Sequence, residues 1–280
     1  MAHTGLTYRD WLEQVPVLLA ECAGEWGLQL GEPYPQGAAG YAIRAELHDG
    51  APAVLKLLYP HREGEHEAEA LAAWAGDGAV RLLRHDPERH AMLLERCEPG
   101  TRLAQAEPTA ALDVLIGLLP RLWKTVDAPF RTLADEAAWW LDELPGEWEA
   151  AGRPFERRLL DEVVDNLRAL VETQGEQVLL HQDLHTDNVL AAEREAWLVI
   201  DPKPLVGERE FNVAPIVRDY VLGHSRRAVL GRLDRLTSEL GLDRERARGW
   251  TIGQTAAWMF ESTHLYTHLE TMRWLGEAAA

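Results

Sequence analysis

The stretch VLLHQDLHTDNVL, residues 178–190, restricts the possible folds of this chain more than any other segment. Its apolar ends are typical of segments next to a core, whereas its centre places His181, Asp183, His185 and Asn188 close together. Polar groups beside a core are costly when they have no partners. The stretch therefore predicts a loop that satisfies its own polar groups or binds a ligand.

The first hundred residues combine one leading helix with several strand patterns. Leu12, Val15, Leu19 and Cys22 recur at helical spacing, and from Tyr41 onward apolar and polar residues alternate with a period of two. These patterns predict a helix around residues 12–22, strands at 41–47, 51–58, 79–83 and 91–95, and a helix at 63–75. The segment GEPYPQGAAG, rich in glycine and proline, predicts a loop.

Helical patterns dominate the rest of the chain. They cover residues 109–126, 133–144 and 155–173, and the chain from Pro215 to its end. The polar stretch and the apolar segment AWLVID interrupt them, and the segment RCEPG suits a connector between lobes. The sequence thus predicts an α+β architecture, with a small β-rich lobe at residues 1–98 and a larger, mainly helical lobe at residues 99–280.

Composition excludes several classes of protein. The formal charge of −18 argues against nucleic acid as a partner, because phosphates need a basic surface; it favours solubility or the attraction of cationic ligands. The two cysteines are too few for a disulfide framework or a cysteine metal site. No segment resembles a signal peptide or reaches membrane-spanning length, so we expect a soluble, cytoplasmic protein without a membrane partner.

A second polar group follows the loop at a spacing that suits a hairpin. Only the segment VLAAEREAWLVI separates Asn188 from Asp201, and a turn within it would bring both residues to one point. A carboxylate and an amide oxygen suit a hard cation such as Mg²⁺. Asp183 is then available to accept the proton of an attacking hydroxyl, as in phosphoryl transfer.

Lys56 is a further candidate, because this chain otherwise uses arginine almost throughout. It lies between Leu55 and Leu57 in a predicted strand, where a buried ammonium needs a partner. Glu67 lies one turn before Leu71 in the apolar stripe of the next predicted helix and is the best-placed acid. A strand lysine paired with a helical glutamate is typical of kinases, although either residue alone would also suit a surface role.

Together these residues resemble those of the aminoglycoside phosphotransferases. The similarity is closest to the streptomycin 6-phosphotransferase and hydroxyurea phosphotransferase branch of antibiotic-resistance kinases. It extends over most of the chain, through PAVLKLLYP, EHEAEALAAWAGDGAVRLL, MLLERCEPG, LLHQDLHTDNVL, WLVIDPKPLVGEREFNVAPIVRD and LDRERARGWTIGQT. HxDxxxxN is the most diagnostic pattern of the wider superfamily, and IDPKPLVGE is the most diagnostic of this branch.

The resemblance implies a protein-kinase-like fold of two lobes, the use of ATP and Mg²⁺, and phosphorylation of a hydroxyl on a small molecule. It implies that Asp183 is the catalytic base and that Asn188 and Asp201 bind metal. It also implies that Lys56 contacts the nucleotide phosphates and pairs with Glu67.

The resemblance assigns roles to two further segments. It implies that the backbone of Arg96, Cys97 and Glu98 holds adenine. Lys203, directly after the aspartate that binds metal, would neutralise the transferred phosphate or form a local salt bridge.

Three features depart from the family pattern. Gln182 stands where glycine is common, so we expect a slightly reshaped loop. Asn212 stands where aspartate is common, so we expect a weaker anchoring contact. The segment PQGAAGYA is a poor phosphate-binding glycine loop, and an ordinary turn suits it nearly as well.

The resemblance leaves the acceptor open. The negative charge favours a cationic aminoglycoside of the streptomycin type, with hydroxyurea or another small metabolite as alternatives. Glu261, in an apolar helical segment, and Asp219 could bind a cationic group of the acceptor. Glu261 suits equally well a structural role with an internal basic partner.

Two other functions fit parts of the sequence. His181, Asp183 and His185 could present two imidazoles and a carboxylate to zinc in a metal-dependent hydrolase, although both histidines also suit structural roles. A non-catalytic kinase-like binding module would have lost Lys56, Asp183 or Asp201, and all of these are present. We therefore favour an active phosphotransferase that uses an alcohol group as acceptor.

Overall fold

The computed structural model describes residues 7–35, 39–127, 129–260 and 262–278. The helices are α1 (Tyr8–Trp26), α2 (Glu67–Trp74), α3 (Pro108–Leu122), α4 (Leu133–Ala150), α5 (Arg157–Glu172), α6 (Ala214–Val217), α7 (Arg226–Leu240), α8 (Arg244–Trp258) and α9 (Leu265–Glu277). The strands are β1 (Gln29–Pro33), β2 (Gly40–Glu46), β3 (Pro52–Leu58), β4 (Leu82–Asp86), β5 (Ala91–Glu95), β6 (Gln177–Leu180), β7 (Val189–Ala191), β8 (Trp197–Val199) and β9 (Leu205–Glu208). Across these described ranges, no helix is both long and apolar enough to span a bilayer.

The chain divides into two compact units. The first contains residues up to Thr101 together with Leu190–Lys203, and the second contains Arg102–Val189 and Pro204–Ala280. The first unit is small and rich in strands and the second is larger and mainly helical, which confirms the predicted α+β class. Because Leu190–Lys203 follows the polar loop along the chain, the first unit is not continuous in sequence.

The first unit is built on an antiparallel five-stranded sheet in the order β1-β2-β3-β5-β4. β3 lies in the middle and pairs with β2 on one side and β5 on the other. Leu55 and Leu57 of β3 are fully buried and share a core with Trp11 and Val15 of α1. The helical spacing in α1 and the alternation in β3 thus reflect two elements that bury one face each against the other.

β1 is a strand that the periodicity did not predict. All of its residues are exposed, and it lies at the edge of the sheet beside β2. A strand without a buried face shows no alternation of apolar and polar residues, so hydrophobic periodicity cannot predict it. The helix predicted at 63–75 begins only at Glu67, because residues 62–66 form turns.

Arg194 joins the hairpin of β7 and β8 to the sheet of the first unit. Its guanidinium donates to the backbone oxygens of Gly76 at 2.8 Å and Ala79 at 3.0 Å, and it forms an ion pair with Glu95 at 2.8 Å. Ala79 also pairs with Val199 at the end of β8. These contacts explain why the hairpin belongs to the unit that precedes it in sequence.

The second unit contains a short sheet and a bundle of helices. β6 pairs antiparallel with β9, so that Leu180, the last residue before the polar loop, lies opposite Leu205. The sequence did not predict β9. Most residues of α8 are buried, and α8 packs against α5, α7 and α9.

Glu208, at the end of β9, is an acid buried within the second unit. It is 1% exposed, and Arg246 donates to its two oxygens at 2.7 and 2.9 Å. Trp250 Nε1 and the backbone N–H of Gly175 also donate to it. A buried carboxylate with this many donors is well satisfied. The glutamate of the segment IDPKPLVGE therefore makes its contacts inside the second unit, and loss of this carboxylate alone would leave the guanidinium of Arg246 without its carboxylate partner.

Two glycines of α8 permit a close approach to α5. A Cβ added at Gly253 would lie 2.4 Å from Leu167 Cδ2, and one added at Gly249 would lie 2.8 Å from Asn166 Oδ1. Asn166 Nδ2 donates to the carbonyl of Gly249 at 2.9 Å. The interface between α5 and α8 thus requires residues without a side chain at positions 249 and 253, although glycine destabilises a helix.

We expect Gly253→Ala to reduce the free energy of unfolding by about 1–3 kcal/mol, the usual cost of overpacking a core. Gly231 of α7 is the matched control, because a Cβ added there meets nothing within 4 Å. Gly231→Ala should increase stability by about 0.5–1 kcal/mol through helix propensity. Urea unfolding measures both, and equal effects of the two substitutions would contradict the close packing of α8 on α5.

Candidate active site

Lys56 is a charged residue in the central strand of the first unit. Its neighbours Leu55 and Leu57 point into the core and are fully buried, so Lys56 extends from the opposite face of β3. Its side chain is 12% exposed. An ammonium in this position requires a partner.

The partners of Lys56 are two carboxylates. Its Nζ lies 2.6 Å from Glu67 Oε1 and 2.8 Å from Glu67 Oε2, and 2.5 Å from Asp201 Oδ1. Glu67 is the first residue of α2 and its side chain is 2% exposed, whereas the side chain of Asp201 is 51% exposed. The pairing of Lys56 with Glu67 agrees with the kinase interpretation of the sequence.

The pKa values in this cluster reflect its net charge. Burial acts to lower the pKa of Lys56, but Asp201 and Glu67 together raise it above its ordinary value. Burial raises the pKa of Glu67 to about 7, with Lys56 opposing the shift and Asp201 adding to it. One ammonium between two carboxylates leaves an excess negative charge, which favours proton binding at each group and also attracts cations.

Asp201 has an unusual backbone conformation directly after the hairpin. Its φ is 58°, in the left-handed region that residues with a Cβ rarely adopt. Such conformations cluster at functional sites, where the surrounding contacts impose them. The ion pair with Lys56 is a contact of this kind.

Lys203 lies two residues further along the chain. Its Nζ is 3.2 Å from Glu63 Oε2, and both side chains are about a quarter exposed. This contact is the local salt bridge, one of the two roles predicted for Lys203; the other is neutralisation of the transferred phosphate.

The segment Arg96–Glu98 follows β5 in the first unit. Arg96 Nε donates to Glu98 Oε1 at 3.0 Å, and Cys97 is buried. Burial raises the pKa of the Cys97 thiol to about 12, and Glu95 adds to the increase, so the thiol stays protonated. A buried, protonated thiol is not a reactive group, which agrees with the prediction that this segment acts through its backbone.

The polar loop begins in the second unit where β6 ends. Gln182 has a φ of 63°, in the left-handed region that favours glycine. Its side chain is fully buried and donates to Glu136 at 3.4 Å, and Gln254 Nε2 donates to its backbone oxygen at 2.8 Å. Asp183, the next residue, has a side chain that is 14% exposed.

Asn212 anchors the start of the loop. Its Oδ1 accepts the backbone N–H of His181 at 3.2 Å, and both residues are fully buried. The amide Nδ2 of Asn212 has no partner within the described part of the chain. The asparagine therefore supplies the anchoring contact but leaves a buried donor that an aspartate would not have.

Asp219 anchors the middle of the loop. Its Oδ2 accepts the backbone N–H of Thr186 at 3.0 Å and the hydroxyl of Thr186 at 2.8 Å, and its Oδ1 accepts the N–H of Val221 at 3.0 Å. Asp219 is 7% exposed. These are the contacts of a structural anchor that the sequence did not indicate, and binding of the acceptor by Asp219 stays a prediction.

Asn188 ends the 3₁₀ turn at Thr186–Asn188. Its Nδ2 donates to the backbone oxygen of Asp183 at 2.9 Å, which directs the amide nitrogen to the loop. The amide oxygen is then the atom that suits a cation. Glu261, the other candidate for binding the acceptor, and residues 36–38 of the segment PQGAAGYA lie outside the described residues.

The two histidines of the loop make structural contacts. His181 Nδ1 accepts the backbone N–H of Asp183 at 3.2 Å, and His185 Nδ1 accepts that of Asp187 at 3.3 Å. In the part of the chain that the structure describes, no three His, Cys, Asp or Glu residues form a group that could hold a metal ion. The geometry therefore gives no support to the zinc hydrolase.

We expect Gln182→Gly to be more stable than Gln182→Ala by about 1 kcal/mol. Both variants lose the buried amide, but only alanine retains a Cβ in the left-handed conformation, which costs about 1–2 kcal/mol. Chemical unfolding of the two variants isolates this difference. An alanine variant as stable as the glycine variant would show that the loop does not impose the conformation of residue 182.

Comparison with known proteins identifies the fold of this chain. The chain superimposes on a thermostable mutant of aminoglycoside phosphotransferase APH(4)-Ia in ternary complex with ADP and hygromycin B, with a TM-score of 0.67. The two sequences are 14% identical, and the match covers 93% of this chain and 98% of the phosphotransferase. The choline kinase LicA of Streptococcus pneumoniae gives a TM-score of 0.66 and 12% identity over 95% and 99% of the two chains. These similarities confirm the predicted protein-kinase-like fold.

Sequence comparison is more specific. The streptomycin 6-kinase of Streptomyces glaucescens is 42% identical over 267 residues, which cover 90% of this chain and 85% of that protein. The hydroxyurea phosphotransferase of Kitasatospora aureofaciens is 41% identical over 272 residues, covering 93% and 78%. The family model described as aminoglycoside/hydroxyurea antibiotic resistance kinase matches residues 26–263. The chain belongs to this family of antibiotic-resistance kinases.

Proposed function

We propose that this protein is an ATP-dependent phosphotransferase that phosphorylates a hydroxyl of an aminoglycoside of the streptomycin type. The observation that supports this most directly is the 42% identity to a streptomycin 6-kinase over 90% of the chain. The presence of the lysine, glutamate, aspartates and asparagine that phosphoryl transfer requires adds to it. A binding module without activity would not need to keep them.

In this proposal the first unit binds the nucleotide. The Lys56 ammonium contacts the phosphates, and Glu67 holds it in position from the start of α2 through two short contacts. The backbone of Arg96–Glu98 holds the adenine, which needs no particular side chain there. A fixed ammonium is effective because it does not have to reorient as charge develops on the phosphates.

The second unit supplies the general base. The Asp183 carboxylate accepts the proton of the acceptor hydroxyl as the hydroxyl oxygen attacks the γ-phosphorus of ATP. The bond from the γ-phosphorus to the bridging oxygen breaks, and ADP leaves with that electron pair. Anchoring by Asn212, Asp219 and Gln254 keeps the loop of Asp183 in one conformation.

The residues of this chain also fit a magnesium ion. Asn188 and Asp201 would hold it, because an amide oxygen and a carboxylate are hard ligands and the Lys56 cluster has an excess of negative charge. When bound, Mg²⁺ would neutralise negative charge on the nucleotide phosphates. Lys203, paired with Glu63, would assist in neutralising the transferred phosphate.

The acceptor is the part of the proposal that has a specific alternative. Streptomycin is cationic, and the net charge of −18 favours such a ligand. The 41% identity to a hydroxyurea phosphotransferase favours hydroxyurea almost equally. Glu261 remains the candidate from the sequence for binding a guanidinium group, since a carboxylate and a guanidinium form a directional pair.

A panel of acceptors tests the proposal. The purified protein is incubated with ATP and Mg²⁺ and with streptomycin, other aminoglycosides, hydroxyurea or small cellular alcohols, and the products are detected by mass. We expect a phosphorylated streptomycin with stoichiometric formation of ADP. Phosphorylation of hydroxyurea alone would support the alternative, and formation of no phosphorylated product would contradict the proposal.

We expect Asp183→Asn to lower kcat by about 10²–10⁴-fold, the usual contribution of a positioned proton acceptor. The affinity for ATP should stay close to that of the unmodified protein, because Asp183 does not bind the nucleotide in this proposal. Steady-state kinetics and calorimetric titration with ATP measure the two quantities. A loss of ATP affinity with an unchanged kcat would exclude Asp183 as the base.

A further inference from the structure

Arg232 of α7 is a buried charge to which the proposed reaction gives no role. The residue is 4% exposed. Burial lowers the pKa of Arg232 to about 10, and the carboxylate of Asp219 opposes this shift. The guanidinium therefore keeps its charge at neutral pH, and a buried charge is costly unless hydrogen-bond acceptors satisfy it.

The acceptors of Arg232 are backbone oxygens at the two ends of one short segment, residues 217–223. Its Nε and Nη2 donate to the oxygen of Val217 at 3.2 and 2.8 Å. Its Nη1 donates to the oxygens of Leu222 at 2.9 Å and Gly223 at 2.7 Å. The planar guanidinium thus bridges both ends of the segment, which the single nitrogen of a lysine could not do in the same geometry.

Asp219 lies between the two bridged ends and connects the segment to the polar loop. Its Oδ2 accepts the backbone N–H of Thr186 at 3.0 Å and the Thr186 hydroxyl at 2.8 Å. Its Oδ1 accepts the N–H of Val221 at 3.0 Å, so the carboxylate is also fixed within the segment. Thr186 lies three residues after Asp183 in the loop. Hydrogen bonds and a short length of backbone therefore connect α7 to the loop that carries the proposed base.

An apolar residue in place of Arg232 would break this connection at its first step. The oxygens of Val217 and Leu222 would lose a charged donor, and both residues are buried. Hydrogen bonds to charged groups contribute about 1.5–3 kcal/mol each, more than ordinary ones. The segment would then be held less firmly, and the carboxylate of Asp219 would have a wider range of positions relative to Thr186.

We propose that Arg232 is a positioning residue for the polar loop. Its guanidinium holds residues 217–223, and this segment holds the Asp219 carboxylate against Thr186. Arg232 thereby keeps the loop in the conformation in which Asp183 meets the acceptor hydroxyl. The inference rests on the proposed role of Asp183 and requires no contact of Arg232 with the acceptor, the nucleotide or a metal ion.

The alternative is that Arg232 only stabilises the second unit as a whole. Leu236 provides the matched control, because it is fully buried one turn further along α7 and has no polar side-chain atom that could hold the segment. Leu236→Ala should lower Tm through the cavity that it leaves. Arg232→Met should lower Tm too, but only Arg232→Met should loosen the polar loop.

Hydrogen exchange at the amide of Thr186 measures the state of the loop directly. In Arg232→Met we expect this amide to exchange about 10-fold or more faster relative to the amides of α5, as for the weakening of a hydrogen bond to a charged group. In Leu236→Ala the exchange at Thr186 and in α5 should change by the same factor. Equal ratios in the two variants would overturn the proposal.

Steady-state kinetics with ATP and streptomycin provide the second measurement. We expect Arg232→Met to lower kcat by about 10-fold or more, because misplacement of a reacting group is costly. The KM for ATP should stay within about threefold, because the first unit binds the nucleotide in the proposed function, and Leu236→Ala should keep its kcat within about twofold. Arg232→Lys keeps the charge but cannot bridge both ends, so full recovery of kcat in this variant would contradict the bridging role.

The exchange measurement separates failure of this inference from failure of the proposed function, because it requires no reaction. Phosphorylation of streptomycin together with unchanged exchange at Thr186 in Arg232→Met would overturn the inference alone. Faster exchange at Thr186 without any phosphorylated product would support the inference about the loop and contradict the proposed function. If Arg232→Met does not fold, Arg232→Lys takes its place in both measurements.

Discussion

The ammonium of Lys56 between Glu67 and Asp201 is the interaction that holds the candidate site residues of the first unit together. It joins the central strand, the start of α2 and the residues after the hairpin within the first unit, and it is one of the contacts that place this later segment of the chain in that unit. Removing only one partner of such a cluster leaves a buried charge uncompensated. The cluster therefore constrains the fold and concentrates charge where the proposed reaction uses it.

Two positions of the candidate site have left-handed backbone conformations that contacts with other side chains hold in place. Gln182 and Asp201 both have left-handed backbone conformations, and each is fixed by a buried or partly buried partner: Gln254 and Lys56, respectively. Asp219 holds the loop at Thr186 through two hydrogen bonds. The second unit thus uses buried polar residues to position Asp183, which agrees with the general need for rigid support around a reacting group.

The sequence predicted those parts of the molecule that have a strong local signal. Lys56 was conspicuous as a lysine between leucines, and its pairing with Glu67 followed from the stripe of α2. β1 and β9 were missed, because a fully exposed edge strand and a four-residue strand give little periodicity. The hydrogen bonds of Asp219 to Thr186 could not be predicted, since nothing local indicates a partner 33 residues away in sequence; binding of the acceptor by Asp219 stays a prediction. The attachment of the hairpin to the first sheet also depends on long-range contacts of Arg194.

The most direct test of the central claim is phosphoryl transfer by the double variant Lys56→Met/Glu67→Gln, measured with γ-labelled ATP and streptomycin beside a thermal unfolding curve. The buried carboxylate of Glu67 is removed together with Lys56, and Asp201, which also loses Lys56, has a side chain that is 51% exposed and can be solvated. The account therefore predicts a folded protein with a Tm within a few degrees of the original. Transfer should fall by about 10²–10³-fold, as for removal of a preorganised electrostatic group. A folded double variant that transfers phosphate at nearly the original rate would contradict the account.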